Sequence, residues 1–258
     1  MNWNTLVRIY RRPGIYIMNA LLAPIEWLIT NCSRDGRKTF FEADAFSWTR
    51  AIEAGTPEIR RELDQLLLKR MEIPAFRDVS ENQKYLAPPE QWQTYFLYMY
   101  GRPVPENCVR CPNTNRLLKV IPGMKTAMFS ILAPQTHIRE HYGLYKGVLR
   151  YHLGLIVPEP ASACRIRVGP DTRSWAEGRS LIFDDRYAHE AWNEASGHRT
   201  VLFVDFVRPL PWPLSLFNRA VIRIIAMSSM VTTAINRARS IAQHPRDGMK
   251  SNVEGEAP

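Results

Sequence analysis

Along the chain the spacing of apolar residues changes twice. Ile59, Leu63, Leu66 and Leu67 fall on one face of a helical repeat. Ahead of them, Thr56-Pro57-Glu58 supplies an N-cap, a proline at the first helical position and an acid in the first turn. The pattern predicts a helix from Thr56 to about Met71, and a shorter one over 113–120 that Pro122-Gly123 ends. Beyond Gly123 the period becomes two, which predicts strands at 124–132, 138–141, 148–157, 164–168, 180–183, 189–193 and 199–207. Short strands at this spacing, separated by Pro, Gly and Asp turns, imply a sandwich or barrel, so the chain reads as mainly β with flanking helices. Helical spacing then returns: Leu214, Phe217, Val221, Ile224, Ile225, Val231 and Ile235 recur through 214–238, with Arg219, Arg223 and Arg237 gathered elsewhere on the helix.

Composition narrows the class. In 258 residues, 45% apolar and 23% charged content excludes wholesale disorder and fits one domain with substantial flanks, or two small ones. The formal charge of +9 lies at the ends: 1–38 carries +4, 208–258 another +4, and the long middle only +1. No basic–aromatic stripe accompanies this charge, which excludes nucleic acid as the partner. Both basic ends are also apolar. The stretch 15–29 is too short, and too interrupted by Asn19, Pro24 and Glu26, to span a bilayer. The 214–238 helix either lies in a membrane interface or docks on its own domain with its arginines in water. Four cysteines make no disulfide framework, and the lone Cys108-Val-Arg-Cys111 reads as a turn bearing two reduced thiols rather than half of a zinc site. With no cleavable signal peptide visible, a reducing cytoplasm is the expected compartment.

Four of the six histidines fall within 137–189. His141 ends one strand and His189 opens another. Two neutral imidazoles from separate strands can hold a divalent metal, although the same spacing also suits solvated or core histidines. In Val148-Leu-Arg-Tyr-His-Leu-Gly-Leu155, alternation puts Leu149, Tyr151, Leu153 and Leu155 on the packed face. Arg150 and His152 then point together into the opposite concavity. Arg199 heads a strand that is apolar on both faces, a place suited to clamping a carboxylate in bidentate fashion. Each arginine also has an ordinary reading, a salt bridge to Asp184, Asp185 or Asp205. Taken together, the histidines and arginines describe a site for a metal plus a carboxylate co-substrate.

The ordered series Ala127-Met-Phe-Ser130-Ile-Leu-Ala-Pro-Gln-Thr-His-Ile, His141-Tyr-Gly143, Leu149–Leu155, Trp175-Ala-Glu-Gly178, Phe183-Asp-Asp, His189-Glu-Ala-Trp192 and Arg199…Asp205 resembles the aspartyl/asparaginyl β-hydroxylase family, over about 85–210. The resemblance implies an iron(II)- and 2-oxoglutarate-dependent dioxygenase with O₂ as oxidant, built on a double-stranded β-helix (a jelly-roll, cupin-like core). It implies that His141 and His189 are the catalytic metal ligands and that Arg199, helped by His152 and Ser130, binds 2-oxoglutarate. Arg150 then anchors an anion near the substrate. Gly143 stands where most such oxygenases put a third, carboxylate ligand, so the resemblance implies a water at that position, or chloride as in halogenating relatives. His137 and His198 match no role and read as surface or strand-end residues. The implied organisation is a basic apolar segment at 1–40, a dioxygenase domain at 41–210 with helical support over 41–122 and the β-helix core over 123–210, and a basic amphipathic helix with a polar tail at 211–258.

The stretches Pro103–Thr114, Ile121–Ser130 and Tyr145–Arg150, and the tail from Arg208 to Ile222, look most similar to the branch that hydroxylates fatty acyl chains of bacterial membrane lipids, such as lipid A or ornithine lipid. That likeness implies a membrane lipid substrate, an anionic membrane surface as partner, and peripheral attachment to the inner face of the cytoplasmic membrane. The alternatives are hydroxylation of an aspartyl or asparaginyl side chain, free or in a peptide, and a catalytically dead barrel that binds a membrane or another protein.

Overall fold

The computed structural model describes residues 13–68, 73–80 and 85–244. The extreme N-terminus, the expected helix end near Met71 and the polar tail lie outside them. Eight strands between Met124 and Val207 divide four and four between two antiparallel sheets, and consecutive strands change sheet except at one hairpin in the smaller sheet. In the larger sheet β4 (Met124–Leu132), β11 (Arg199–Val207), β6 (Val148–Ile156) and β9 (Ser180–Phe183) are adjacent in that order. The smaller sheet runs β5 (Thr136–His141), β10 (His189–Asn193), β7 (Cys164–Val168), β8 (Asp171–Ser174). This arrangement is the double-stranded β-helix, and the two sheets face each other as a jelly-roll.

Three strands extend the larger sheet. β1 (Phe40–Phe41) pairs with β9, while β2 (Trp92–Met99) and β3 (Arg102–Pro103) continue beyond β4. The stretch 41–122, expected as helical support, thus also lends strands to the sheet. β2 escapes the period-two pattern because six of its eight residues are buried, some on each face. β8 escapes it for the opposite reason, since all four of its residues are exposed.

Strand parity divides the core in two. Leu149, Tyr151, Leu153 and Leu155 of β6, Leu202, Val204 and Phe206 of β11, and Ala127, Phe129 and Ile131 of β4 pack outward against helices. Those helices are α2 (Thr49–Ala54), α3 (Thr56–Leu68) and the α5–α6 pair (Pro105–Arg110, Pro112–Leu118); α4 (Phe76–Val79), beside β2, belongs with the other half of the core. Ile59, Leu63 and Leu66 of α3 are buried as its repeat requires. One glutamate on the same face, Glu62, accepts the N–H groups of Asn113 and Thr114 at 2.7 and 2.9 Å, and so caps α6 from another element. Cys108 lies within α5 and Cys111 at the α5–α6 junction, both buried and reduced, which corrects the expected turn. The opposite parity, including Met128, Leu132, Val201 and Phe203, faces the smaller sheet and lines the barrel interior.

Helices also enclose the ends. α1 (Pro13–Cys32) packs on α7 (Leu214–Met227), and a bend of 62° at Ser228 separates α7 from α8 (Ser229–Gln243). The single expected helix over 214–238 is therefore two. No single helix among the described residues is long and apolar enough to cross a membrane, though the bent pair passes that test jointly. α7 buries Leu214, Asn218, Ile222 and Ile225, and turns Leu216, Phe217, Ile224 and Met227 outward beside Arg219 and Arg223. It has a docked apolar face and an exposed one, so the two readings of this helix are not exclusive.

Candidate functional site

The two expected metal-ligating histidines meet across the smaller sheet. His141 closes β5, His189 opens β10, and the two are register partners with ring centroids 4.1 Å apart. Each holds its Nδ1 against the carbonyl two residues before it: His141 on Arg139 at 2.8 Å and His189 on Tyr187 at 3.0 Å. A carbonyl only accepts, so each Nδ1 carries the proton and each Nε2 keeps a lone pair. The Nε2 of His189 is buried and meets no protein partner. Burial lowers the pKa of His141 to about 4 and that of His189 well below its usual value, keeping both neutral as metal ligation requires.

Among the described residues no group of three or more His, Cys, Asp or Glu is placed to hold a metal. The pair suits a divalent metal whose other positions are filled by a chelating small molecule and solvent, and does not suit a closed structural site. Gly143 explains the missing third side chain. Its N–H donates to the carbonyl of Asp185 at 2.7 Å, and a Cβ at this position would overlap the Asp185 carboxylate.

On the larger sheet, Ser130, Arg150, His152 and Arg199 share the inward parity of their strands. Arg199 is 2% exposed, yet its Nε and Nη1 meet no protein acceptor. A buried guanidinium with open donors is costly, and burial lowers its pKa to about 10. It therefore fits an incoming anion rather than an internal salt bridge. Beside it the Nε2 of His152 is also buried and unpartnered. Ser130 accepts the indole N–H of Trp92 at 3.0 Å, which leaves its own hydroxyl hydrogen to donate. These open donors fit a dicarboxylate such as 2-oxoglutarate.

Arg150 follows its ordinary reading. It pairs with Asp185 at 2.7 Å and with Asp205 at 2.9 Å, and its guanidinium lies over the Phe203 ring. An anionic substrate group would have to displace one of these carboxylates. One cation shared by two carboxylates cannot fully stabilise both, and burial holds Asp185 above the usual carboxylate range despite the ion pair. The role of Asp185 beside Gly143 escaped sequence reasoning, although the Phe183-Asp-Asp motif four residues before His189 marked the place. His137 is a surface residue, as expected, paired with Glu190 at 2.8 Å.

The jelly-roll, the neutral histidine pair and the open donors for an anion fit the hydroxylase family that the sequence resembles. The chain belongs to the aspartyl/asparaginyl β-hydroxylase family, whose sequence pattern it matches over residues 53–209. It is 41% identical over 217 residues to an ornithine lipid ester-linked acyl 2-hydroxylase from Rhizobium tropici, an alignment covering 84% of this chain and 77% of that one. It is 40% identical over 131 residues to human aspartate beta-hydroxylase domain-containing protein 2 and 37% over 123 to human aspartyl/asparaginyl beta-hydroxylase. These cover 47% and 46% of this chain, but only 35% and 16% of the human proteins. Among solved structures, a Pseudomonas putida prolyl-4-hydroxylase aligns over 70% of this chain and all of its own, at 15% identity and a TM-score of 0.41.

Proposed function

We propose that the protein is an Fe(II)- and 2-oxoglutarate-dependent hydroxylase of a fatty acyl chain in a bacterial membrane lipid, of the ornithine lipid type. The observation that carries the reading is the pairing of two histidines with open Nε2 positions and a buried arginine with open donors, in one barrel. His141 and His189 would hold iron, and Arg199, His152 and Ser130 would bind the far carboxylate of 2-oxoglutarate. Bound there, iron with 2-oxoglutarate and O₂ supplies the oxidation that turns a C–H into C–OH, with succinate and CO₂ as co-products. The chain's own work is to fix two neutral imidazoles through backbone carbonyls, meet the co-substrate with preformed donors, and keep water out with Phe183 and Phe203.

The lipid substrate class rests on the Rhizobium tropici relative, the alignment covering most of both chains. The exposed stripe of α7 supports a membrane as the meeting place: Phe217 is 63% and Ile224 64% exposed, with Arg219 and Arg223 alongside. On α1, Leu21 and Trp27 are exposed to similar degrees. Apolar residues flanked by arginines suit peripheral contact with anionic lipid on the inner face of the cytoplasmic membrane. A second reading, hydroxylation of an aspartyl or asparaginyl side chain, draws on the human relatives. The engagement of Arg150 by two aspartates speaks against it, because that arginine would have to bind the substrate carboxylate. The test compares lipid extracts from cells with and without the gene by mass spectrometry. The proposal expects a lipid that gains one oxygen atom on its acyl part; identical lipid profiles would remove it.

A further inference from the structure

The motif Trp175-Ala-Glu-Gly178 takes no part in the chemistry above, yet it lies against the anion-binding residues. Trp175 sits between β8 and β9 and is only 2% exposed. Its indole Nε1–H donates to Nδ1 of His152 at 3.3 Å, with the two ring planes 26° apart. The Arg199 guanidinium lies over the same indole, 4.4 Å from its centroid.

Gly154, two residues after His152 on β6, makes this approach possible. A Cβ there would overlap the carbonyl oxygen of Ala176, and Gly178 N–H donates to the Gly154 carbonyl at 2.9 Å. The glycine of His152-Leu-Gly154 and the tryptophan of the later motif are thus two halves of one contact.

An indole N–H only donates. The Nδ1 that faces it must carry a lone pair, because a proton on that nitrogen would set two hydrogens against each other. The ring proton of His152 is then on Nε2, which is buried with no protein acceptor. Nε and Nη1 of Arg199 are in the same condition. We propose that Trp175 is a positioning residue: its N–H fixes His152 as the Nε2–H tautomer and its ring face supports Arg199, so that both present donors to one carboxylate. Burial and the nearby charges of Arg199 and Arg150 disfavour protonated His152, in keeping with this tautomer. The carboxylate half of the inference rests on the 2-oxoglutarate reading given above; the tautomer half does not.

Long-range ¹H–¹⁵N spectra of metal-free protein labelled at histidine report the tautomer directly, with His152→Gln to assign the signal. Wild type should show His152 with its proton on Nε2, and Trp175→Phe should show mixed tautomers. Calorimetric titration of the Fe(II)-loaded protein with 2-oxoglutarate under nitrogen should find Trp175→Phe weaker by about tenfold. At saturating 2-oxoglutarate its kcat should stay near wild type, so the loss appears in KM. A wild-type His152 protonated on Nδ1 overturns the proposal, and the wild-type spectrum decides this even if the variant does not fold. Binding by Trp175→Phe within about twofold of wild type overturns it as well. A wild type that shows the Nε2–H tautomer but binds no 2-oxoglutarate overturns the co-substrate reading and the carboxylate half, and upholds the tautomer half.

Discussion

The carboxylate of Asp185 stands in the space that a side chain on Gly143 would fill. The backbone joins the two as well, Gly143 N–H to Asp185 carbonyl. The absence of a third ligand side chain is therefore built into the packing. Gly143→Asp should fail to create a three-residue metal site and should instead destabilise the protein by about 1–3 kcal/mol through overpacking beside a like charge. Gly143→Asp with Asp185→Ala should recover most of that loss. Urea midpoints of the two variants check both statements.

Arg199 should cost the empty protein stability. Removing it leaves no partner stranded, so Arg199→Met should stabilise the metal-free form by about 1–3 kcal/mol. The same change should weaken 2-oxoglutarate binding about 100-fold or more, the loss of hydrogen bonds between charged groups. Thermal melts with and without 2-oxoglutarate would show a higher baseline in the variant and a ligand-induced rise only in the wild type.

Buried neutral histidines make stability depend on pH. The pKa values of His152 and His189 are depressed well below their unfolded value of about 6.5, and that of His141 falls to about 4. Below pH ~6.5 the unfolded chain binds protons that the folded chain refuses. Each such group then removes about 1.4 kcal/mol of stability per pH unit until its folded pKa is reached. Asp185 acts with the opposite sign, since its raised folded pKa makes the native state the better proton binder. The metal-free protein should hold its stability above pH ~6.5 and lose it steeply toward pH ~4, more steeply still in Asp185→Asn. Urea unfolding across this range measures the slope.

The outward face of α7 should set membrane affinity without setting chemistry. Replacing Arg219 and Arg223 by Gln removes two cations, each contributing about 1 kcal/mol at an anionic surface, so sedimentation with phosphatidylglycerol vesicles should weaken about 30-fold. Neutral vesicles should show little difference, and turnover of detergent-dispersed lipid should stay near wild type. Phe217→Glu should weaken binding to both kinds of vesicle.

Much of this architecture was legible locally. The inward parity of Arg150 and His152 follows from four apolar residues on the other face of β6. The start of α3 follows from Thr56-Pro57-Glu58. What escaped depends on distant partners. β2 shows no alternation because helices cover one of its faces and the barrel the other. β1 and β3, two residues each, exist only through their pairing with β9 and β2. The apolar pattern of 214–238 hides the bend at Ser228, whose hydroxyl accepts the N–H of Val231 and begins a new helix. Asp184 and Asp185 look alike in sequence, and only the fold separates a buried structural anion from one at the site.

That buried anion has a mechanical side. Asp184 holds Lys146 at 2.7 Å and Arg208 at 2.5 Å, all three nearly without solvent. Glu26 of α1 receives the Arg186 guanidinium at 2.9 Å and the Lys146 N–H at 3.1 Å. Arg186 in turn donates to the Gly143 carbonyl at 3.4 Å. The helix that shows Trp27 to the outside is thus bolted, through one glutamate, to the corner that carries Asp185 and faces Gly143. Anchoring and the shape of the reaction chamber thus share one chain of hydrogen bonds, from Glu26 through Arg186 to Gly143.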